Sequence, residues 1–462
     1  MLSSVIAAIS TPPGKGGVAI IRMSGEGAFA IADRVFVTRS GKAISDYPPR
    51  TQIYGYIINN EEKIDDGLLC RFPAPHSYTG EDTVEIACHG GTLITRLVLE
   101  ALFSAGAVPA EAGEFTRRAF IRGKLSLTEA EAIGTLLEAR SHEQIRLSAE
   151  PARVRLSERI AEIRADITDV ISSVLARIDY PEEDLGDFTD EETLERLLRI
   201  KEGLHRLIQT YRTGRAINEG VSTVICGKPN VGKSTLYNTL LGEDVAIVTD
   251  IAGTTRDLLE RTVPLGRVLM RLTDTAGLRE GGDEVERIGI ERTKARALTA
   301  DLIFAVFDLS GPLDGEDEAT LALLGESSAA RICILNKADM APNERTKERL
   351  FSERFDAVVE ISALTEPEEA AERLRSVVER LFIDEKITLS SDAIVASARQ
   401  HGSLCLAEGF IDTAIEAYRL GMPADAASAD IERALGAIGE LDGRGVSDSV
   451  VSDIFAKFCV GK

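Results

Sequence analysis

Gly227-Lys228-Pro229-Asn230-Val231-Gly232-Lys233-Ser234 constrains this chain more than any other stretch. It fits the pattern G-x-x-x-x-G-K-[S/T], and its flanks are right. Residues 221–226 before it read as a short, mostly apolar strand, and residues 235–241 after it as a helix start with leucines at helical spacing. In a strand–loop–helix setting the loop N–H groups converge on phosphate oxygens and the helix N-terminus adds partial positive charge. The lysine then neutralises the outer phosphates and the serine hydroxyl holds Mg²⁺. Val231, Gly232, Lys233, Ser234 and Thr235 are therefore assigned to the nucleotide phosphates, and Ser234 also to Mg²⁺.

A phosphate loop alone serves ATP as well as GTP, and four further stretches choose between them. Thr249-Asp250-Ile251-Ala252-Gly253-Thr254-Thr255-Arg256-Asp257 reads as a loop downstream of the first helix. A threonine here can meet Mg²⁺ through its hydroxyl and sense the γ-phosphate through its N–H; that role goes to Thr255, with Thr254 as neighbour. The apolar run 268–272 leads into Asp274-Thr275-Ala276-Gly277, whose aspartate belongs beside Mg²⁺ and whose glycine lets a backbone N–H approach the γ-phosphate. The strand 332–335 runs straight into Asn336-Lys337-Ala338-Asp339. A carboxylate at Asp339 accepts both the ring N–H and the exocyclic amine of guanine. Adenine offers neither, and a site built on such polar pairing discriminates by roughly 10⁴–10⁵-fold. Ser362-Ala363-Leu364, closing the strand 358–361, brings backbone N–H to the guanine carbonyl. These motifs, in this order, read as a GTP site, and residues 216–380 resemble translation-factor-class small GTPases, a Ras-like phosphate-loop fold.

Many GTPases place a glutamine just after D-x-x-G to orient the attacking water. Here Leu278 stands there and cannot hydrogen-bond, so another group must position the water if hydrolysis is to be efficient. The following stretch, Arg279 to Glu291, offers several carboxylates in a glycine-containing loop.

With 462 residues the chain exceeds one ordinary core, and length alone suggests roughly three domains. A formal net charge of -22 argues against a broad basic surface that grips nucleic acid nonspecifically, though not against a local basic patch such as Arg117, Arg118 and Arg122. The six cysteines are scattered without a Cys-x-x-Cys pair, which fits a reducing cytoplasm better than a disulfide framework or zinc site. There is no apolar run of membrane-spanning length, and the N-terminus lacks a basic region, so neither membrane insertion nor secretion is expected.

Residues 1 to about 120 mix strands (18–23, 52–58, 67–72, 82–88) with a helix over 93–102, an α+β domain. Gly14-Lys15-Gly16-Gly17 reads as a turn, and His89 beside Gly90-Gly91 as structural. From about 125 an Ala/Leu/Glu/Arg-rich helical texture begins, with Thr128 and Glu131 as a capping box, and runs to about 179. An acidic turn over 181–187 and a helix over 190–213 follow. Residues 216–380 alternate strand and helix as a parallel sheet would, and helical texture returns from 382 to about 458. The economical reading is one discontinuous helical domain with the α/β domain inserted in it. The expected divisions are 1–122, 123–215, 216–380 and 381–462.

Further landmarks cover nearly the whole chain: Thr11-Pro12-Pro13-Gly14-Lys15-Gly16-Gly17, Pro75-His76-Ser77-Tyr78-Thr79-Gly80-Glu81-Asp82, His89-Gly90-Gly91, Ala112-Gly113-Glu114-Phe115-Thr116-Arg117-Arg118-Ala119-Phe120, Asp283 to Glu291, and the ending Phe458-Cys459-Val460-Gly461-Lys462. Together they resemble the MnmE (TrmE) family of tRNA modification GTPases, from whose pattern Val460 departs only as a conservative replacement for isoleucine. The resemblance implies an N-terminal folate-binding domain, through which the chain forms a homodimer, a helical domain and the inserted GTPase domain. It implies work with the flavoprotein MnmG, in a heterotetrameric complex, on C5 of the wobble uridine of certain tRNAs. The product would be an aminomethyl or carboxymethylaminomethyl group, with the one-carbon unit drawn from methylene-tetrahydrofolate; the bound folate is a methylene or 5-formyl form.

The same resemblance implies that K⁺ sits at the nucleotide site, held by Asn230 with backbone oxygens of Thr249 and Ile251 and with Thr254, and that G domains pair around it to support hydrolysis. Such a cation offsets charge developing on the phosphates. The resemblance makes Glu286 the water-orienting residue and lets Arg256 and Arg279 steady the pair. It gives the folate pocket Arg22, Glu85, Lys124 and Lys462, and brings Cys459 to that pocket as a candidate reactive thiol. Two other classes stay open on the residues alone: a regulatory GTPase that binds an RNA or ribosomal particle without altering it, and a folate-binding module with a vestigial G domain. The intact Lys233, Ser234, Asp274 and Asp339 count against the last.

Overall fold

The computed structural model describes residues 4–179, 189–242, 260–273 and 294–461. The chain divides into two compact units, one of residues 1–137 with 435–462 and the other of residues 138–434.

The first unit is built on a seven-stranded sheet in the order β3-β4-β5-β6-β2-β1-β7. Its strands are β1 (Ile6–Ile9), β2 (Gly16–Ser24), β3 (Phe36–Thr38), β4 (Ile53–Asn59), β5 (Glu62–Phe72), β6 (Thr83–Gly90) and β7 (Val108–Pro109). All neighbours are antiparallel except β1 and β7. Helices α1 (Ala28–Val35) and α2 (Thr92–Ser104) cover one face. In α2 the buried residues Thr95, Val98, Ala101 and Leu102 recur at helical spacing, so a single stripe faces the sheet. That stripe meets Ile21, Met23, Val84, Ile86 and Cys88, the alternate inward residues of β2 and β6. Strands β1 and β7 are too short for their alternation to be legible in the sequence. The expected glycine turn is partly strand: Gly16 pairs with Gly90, and the register shifts between Gly16 and Val18.

Helices α3 (Glu114–Ile121) and α4 (Leu127–Glu138) follow the sheet. The capping box of α4 is Ser126 with Glu129, not Thr128 with Glu131. Glu129 N donates to Ser126 Oγ at 3.1 Å, and Ser126 N to Glu129 Oε2 at 2.8 Å. A cap must precede the first helical residue, and Thr128 is already inside the helix, its hydroxyl donating to the Leu441 carbonyl. Phe455 and Phe458, in and after the last helix of the chain, close a small apolar cluster with Leu127, Ala130 and Ile133.

In the second unit the single helical run expected to reach 179 is interrupted. Ser141 caps α5 (His142–Ser148) by accepting from Gln144 N, and Ala149 is extended before α6 (Glu150–Asp179), whose first turn takes Pro151 without losing a hydrogen bond. Helix α7 (Asp190–Asn218) starts at a Thr189–Glu192 capping box and continues five residues beyond the expected 213. The acidic turn 181–187 lies outside the described residues.

Six strands follow: β8 (Val221–Cys226), β9 (Glu260–Leu265), β10 (Val268–Thr273), β11 (Leu302–Asp308), β12 (Ala330–Asn336) and β13 (Ala357–Glu360), in the sheet order β13-β12-β11-β8-β10-β9. The sheet is parallel, as the alternation of strand and helix predicts, except at its edge, where β9 pairs antiparallel with β10 through a tight connection. Helices α8 (Lys233–Leu241) and α11 (Pro367–Phe382) pack one face, through Leu236, Leu240, Leu374 and Val378. Helices α9 (Gly315–Glu326) and α10 (Glu344–Phe351) pack the other, through Leu324 and Leu350. Ala216 and Ile217, at the end of α7, join the first of these cores. Beyond α11, residues 383–396 are not helical, and helix returns as α12 (Ala398–Arg419), α13 (Ala424–Asp442) and α14 (Asp448–Phe455).

Strand β8 is central, with β10 and β11 on opposite sides. The chain leaves it in one direction and later returns to the other, which opens a crevice beyond the carboxyl ends of the parallel strands.

Candidate phosphate-loop site

The loop from Gly227 to Gly232 leaves β8 into that crevice, and α8 begins at Lys233. Gly232 has φ 100°, and a Cβ there would lie 2.2 Å from Asn336 Nδ2, so both conformation and space demand glycine. Asn230 holds a left-handed φ of 64°, which asparagine tolerates better than most residues. Lys233 Nζ donates to the carbonyls of Gly227 and Lys228, 2.7 Å each, folding its charge back across the loop mouth. Ser234 is exposed in the first turn of α8, with Thr235 beside it. Beneath the loop, burial pushes the Cys226 thiol up to about 12, against the opposing pull of Lys233. That sulfur is a packing element.

Asn336 joins three segments. It is buried, its Nδ2 donates to the Val231 carbonyl at 2.7 Å, and its Oδ1 accepts from Ala363 N at 3.0 Å. One side chain thus ties the phosphate loop to the end of β12 and to the segment after β13. Asp339 is exposed, and its Oδ1 accepts from Ser362 Oγ at 2.5 Å. Thr365 Oγ1 donates to the same hydroxyl, and Thr239 of α8 donates to the Ala363 carbonyl. Leu364 is 79% exposed, so an apolar side chain and the adjoining backbone are presented together. Lys337, at φ 66°, pairs through Nζ with Asp308 Oδ2 at 2.5 Å. Burial alone would raise the pKa of Asp308, but hydrogen bonds from Lys337 and Ser310 outweigh it and hold the carboxyl below its ordinary range.

Lys228, inside the phosphate-loop motif, is given no role of its own by the sequence. Its Nζ lies 2.6 Å from Asp317 Oδ2 and 2.9 Å from Asp314 Oδ2. Those two aspartates form the capping box of α9. The D-x-x-D spacing was legible as a cap, but nothing in the sequence joined it to a lysine 86 residues earlier.

Thr249, Asp250, Ile251, Ala252, Gly253, Thr254, Thr255 and Arg256 lie outside the described residues, as do Asp274, Thr275, Ala276, Gly277, Leu278, Arg279, Glu286 and Lys462. Among the described residues no cluster of three or more His, Cys, Asp or Glu side chains could hold a metal ion, and no helix is long and apolar enough to cross a membrane.

In the other unit, Arg22 and Glu85 face each other across β2 and β6, with Arg22 Nη2 2.8 Å from Glu85 Oε1. The Arg22 guanidinium stands 5.7 Å from the Tyr78 ring and 5.8 Å from that of Phe115. Lys124 Nζ donates to the Pro75 carbonyl and is exposed. The chain end lies along the same unit. Val460 bridges Ala112, Ser10 Oγ donates to the Gly461 carbonyl, and Cys459 is exposed between these contacts and Phe458. The two N-terminal motifs meet in a buried ionic network. Glu81 receives Arg118 at 3.1 Å and Arg122 at 2.9 Å, while Arg118 also binds Glu114 and the Ser4 carbonyl.

A glycine loop closing on a helix N-terminus, laced by one asparagine to two further loops at the carboxyl ends of parallel strands, defines a phosphate-loop nucleotide-binding protein. Residues 5–124 match the family of the GTP-binding protein TrmE N-terminus, and residues 127–459 match the MnmE helical domain. The tRNA modification GTPase MnmE of Clostridioides difficile (strain 630) is 38% identical over 461 residues, covering 100% of each chain. That of Thermotoga petrophila is 40% identical over 461 residues, covering 99% of each. Among solved structures, Era in complex with MgGDPNP and nucleotides 1506–1542 of 16S ribosomal RNA aligns at 24% identity, over 41% of this chain and 66% of that one, with a TM-score of 0.28. The chain belongs to the MnmE family of tRNA modification GTPases, and is a GTP hydrolase involved in tRNA modification.

Proposed function

We propose that the chain hydrolyses GTP, with Mg²⁺ at Ser234 and Thr255, to drive modification of the wobble uridine at C5. The observation that carries the nucleotide part is Asn336 joining Val231 and Ala363, which sets Asp339 and the Ser362–Leu364 backbone beside the phosphate loop. Asp339 selects guanine by accepting its two N–H groups, and Asn336, Lys337, Ser362, Ala363 and Leu364 shape the base pocket. Val231, Gly232, Lys233, Ser234 and Thr235 hold the phosphates; Thr249 to Thr255 and Asp274 to Gly277 respond to the γ-phosphate. Mg²⁺ fits the hydroxyl at the start of α8, where it would neutralise phosphate charge. The exposed Asn230 amide fits an outward-facing K⁺ ligand, completed by Thr249, Ile251 and Thr254. In the paired G domains that ion offsets phosphate charge, and Glu286 orients water where Leu278 cannot.

Arg22, Glu85, Lys124 and Lys462 form the folate pocket, with Cys459 carried to it by the chain end. Folate, as the methylene or 5-formyl form, supplies or mimics the one-carbon unit. Arg22 and Lys124 fit its carboxylates, and the Tyr78 ring near Arg22 gives an aromatic surface for a flat heterocycle. The partners are a second copy of the chain, the flavoprotein MnmG and tRNA, in the cytoplasm. The working parts are 1–122, the helical pieces 123–215 and 381–462, and the G domain 216–380.

Three measurements test this reading. Asp339→Asn should lose GTP and gain xanthosine triphosphate, whose carbonyl replaces the exocyclic amine; unaltered preference would remove the base assignment. Turnover should be markedly faster in K⁺ than in Na⁺ and fall in Glu286→Ala with affinity retained, whereas equal rates in both salts would remove the K⁺ site. Mass spectrometry of tRNA nucleosides from cells lacking the chain should show wobble uridines without the C5 group, and unchanged wobble uridines would leave a regulatory GTPase.

A further inference from the structure

Lys228 lies inside the phosphate-loop motif, yet its side chain turns away from the loop mouth. The side chain is only 16% exposed, and its ammonium bridges Asp317 Oδ2 and Asp314 Oδ2 at 2.6 and 2.9 Å. Asp317 is 1% exposed, and its second oxygen, Oδ1, is buried with no hydrogen-bond partner. The two carboxylates already cap α9: Asp314 Oδ1 accepts from Glu316 N and Asp317 N, and Asp317 Oδ2 accepts from Asp314 N. Capping needs no lysine. Two carboxylates this close repel each other, and a cation between them removes that repulsion. Pairing with Lys228, its largest influence, holds the Asp314 carboxyl below the ordinary range.

The Lys228 carbonyl and that of Gly227 both receive Lys233 Nζ. Side chain and backbone of one residue therefore connect a rigid helix cap on one side to the phosphate-binding lysine on the other. A loop that must aim several N–H groups at phosphate loses affinity for every conformation it samples outside the productive one.

We propose that Lys228 is a positioning residue for nucleotide binding, latching the phosphate loop to the capping box of α9 so that the loop is set before the phosphates arrive. This rests on the reading that residues 227–234 hold the phosphates of a guanine nucleotide, and the latch acts through the loop rather than by touching phosphate.

The test measures affinity and release rate of a fluorescent GDP analogue on the full-length chain, with steady-state GTP hydrolysis alongside. Lys228→Met keeps the aliphatic stem and removes the charge. Its dissociation constant should rise about tenfold, the scale of a buried charge-assisted contact, chiefly through faster release. The loss should appear in KM rather than kcat. Lys228→Arg should restore affinity to within about threefold, because a guanidinium can span the same two carboxylates. Asp317→Asn keeps a good capping side chain and removes one partner of the latch, so it should weaken GDP binding in the same direction, and combining it with Lys228→Met should cost little more than either alone. Wild-type affinity in Lys228→Met, or additive losses in the double variant, would overturn the proposal. So would tighter binding in Asp317→Asn, since a released lysine would then be acting on phosphate directly. Should Lys228→Met not fold, the Arg and Asn variants decide alone. Failure of the wild-type chain to bind GDP would instead remove the underlying site reading.

Discussion

Replacing Asn336 with alanine removes one side chain and loosens three loops at once. The amide makes two buried contacts, Nδ2 to the Val231 carbonyl at 2.7 Å and Oδ1 from Ala363 N at 3.0 Å. Each such bond contributes about 0.5–1.5 kcal/mol net, and leaving the Ala363 N–H or the Val231 carbonyl buried without a partner costs about 1–3 kcal/mol more. Water admitted by the missing amide recovers part of this. The order of the loops therefore loses roughly 2–4 kcal/mol, which nucleotide binding must then supply. At about 1.4 kcal/mol per decade, GDP affinity should fall by roughly 30- to 1,000-fold. Titration with a fluorescent GDP analogue measures it, and circular dichroism confirms that the fold persists. Asn336→Asp is the informative partner, because it keeps an acceptor for Ala363 N but aims a carboxylate at a carbonyl oxygen, so it should be nearly as weak as alanine. A folded Asn336→Ala chain that binds GDP within about threefold of wild type would refute the reasoning, because a junction worth 2–4 kcal/mol cannot leave affinity there.

Other expectations concern the N-terminal unit. Arg118→Met leaves the buried Glu81 with Arg122 and the Ser24 hydroxyl but without its buried cation; breaking such a pair costs about 3–5 kcal/mol, so thermal denaturation should shift down by roughly 6–20 °C, and by less when Glu81→Leu is added. The hydrogen bond that His89 Nδ1 donates to Asp65 Oδ1 raises the pKa of His89, so the stabilisation from this pair is fully present below about 6.5, the unfolded value, and is lost as pH rises through the higher folded value. NMR titration should place the His89 midpoint above that of an ordinary histidine, and Asp65→Asn should return it. Gly461 has φ 100° and a Cβ there would sit 2.4 Å from the Ile9 carbonyl oxygen. Gly461→Ala should therefore lift the tail and raise amide exchange at Val460 by at least about tenfold; unchanged protection would refute that placement.

How much of this was legible beforehand varies with the range of the interaction. The strand at 221–226, the loop glycines, the helix that follows and the order of motifs through Asn336 and Ser362 were open to reading, because periodicity and turn chemistry are local. The antiparallel edge strand β9 is not legible in the sequence, since a six-residue segment with a proline next to its end carries little alternation. The helix run to 179 was read as continuous because composition favours helix throughout, whereas Ser141 and Pro151 stop and restart it.

By itself the sequence determined that a phosphate loop exists, that an aspartate follows an Asn-Lys pair at the end of a strand, and that the chain ends carry distinctive motifs. Tertiary structure alone decided what these residues touch. Asn336 became a junction for Val231 and Ala363, Lys228 became a bridge to Asp314 and Asp317, and Gly461 came to rest against Ile9. The reason is physical. A backbone conformation is set largely by a residue and its near neighbours, but the partner of a buried polar group is whichever group the packed sheet brings within about 3 Å, at any distance along the chain.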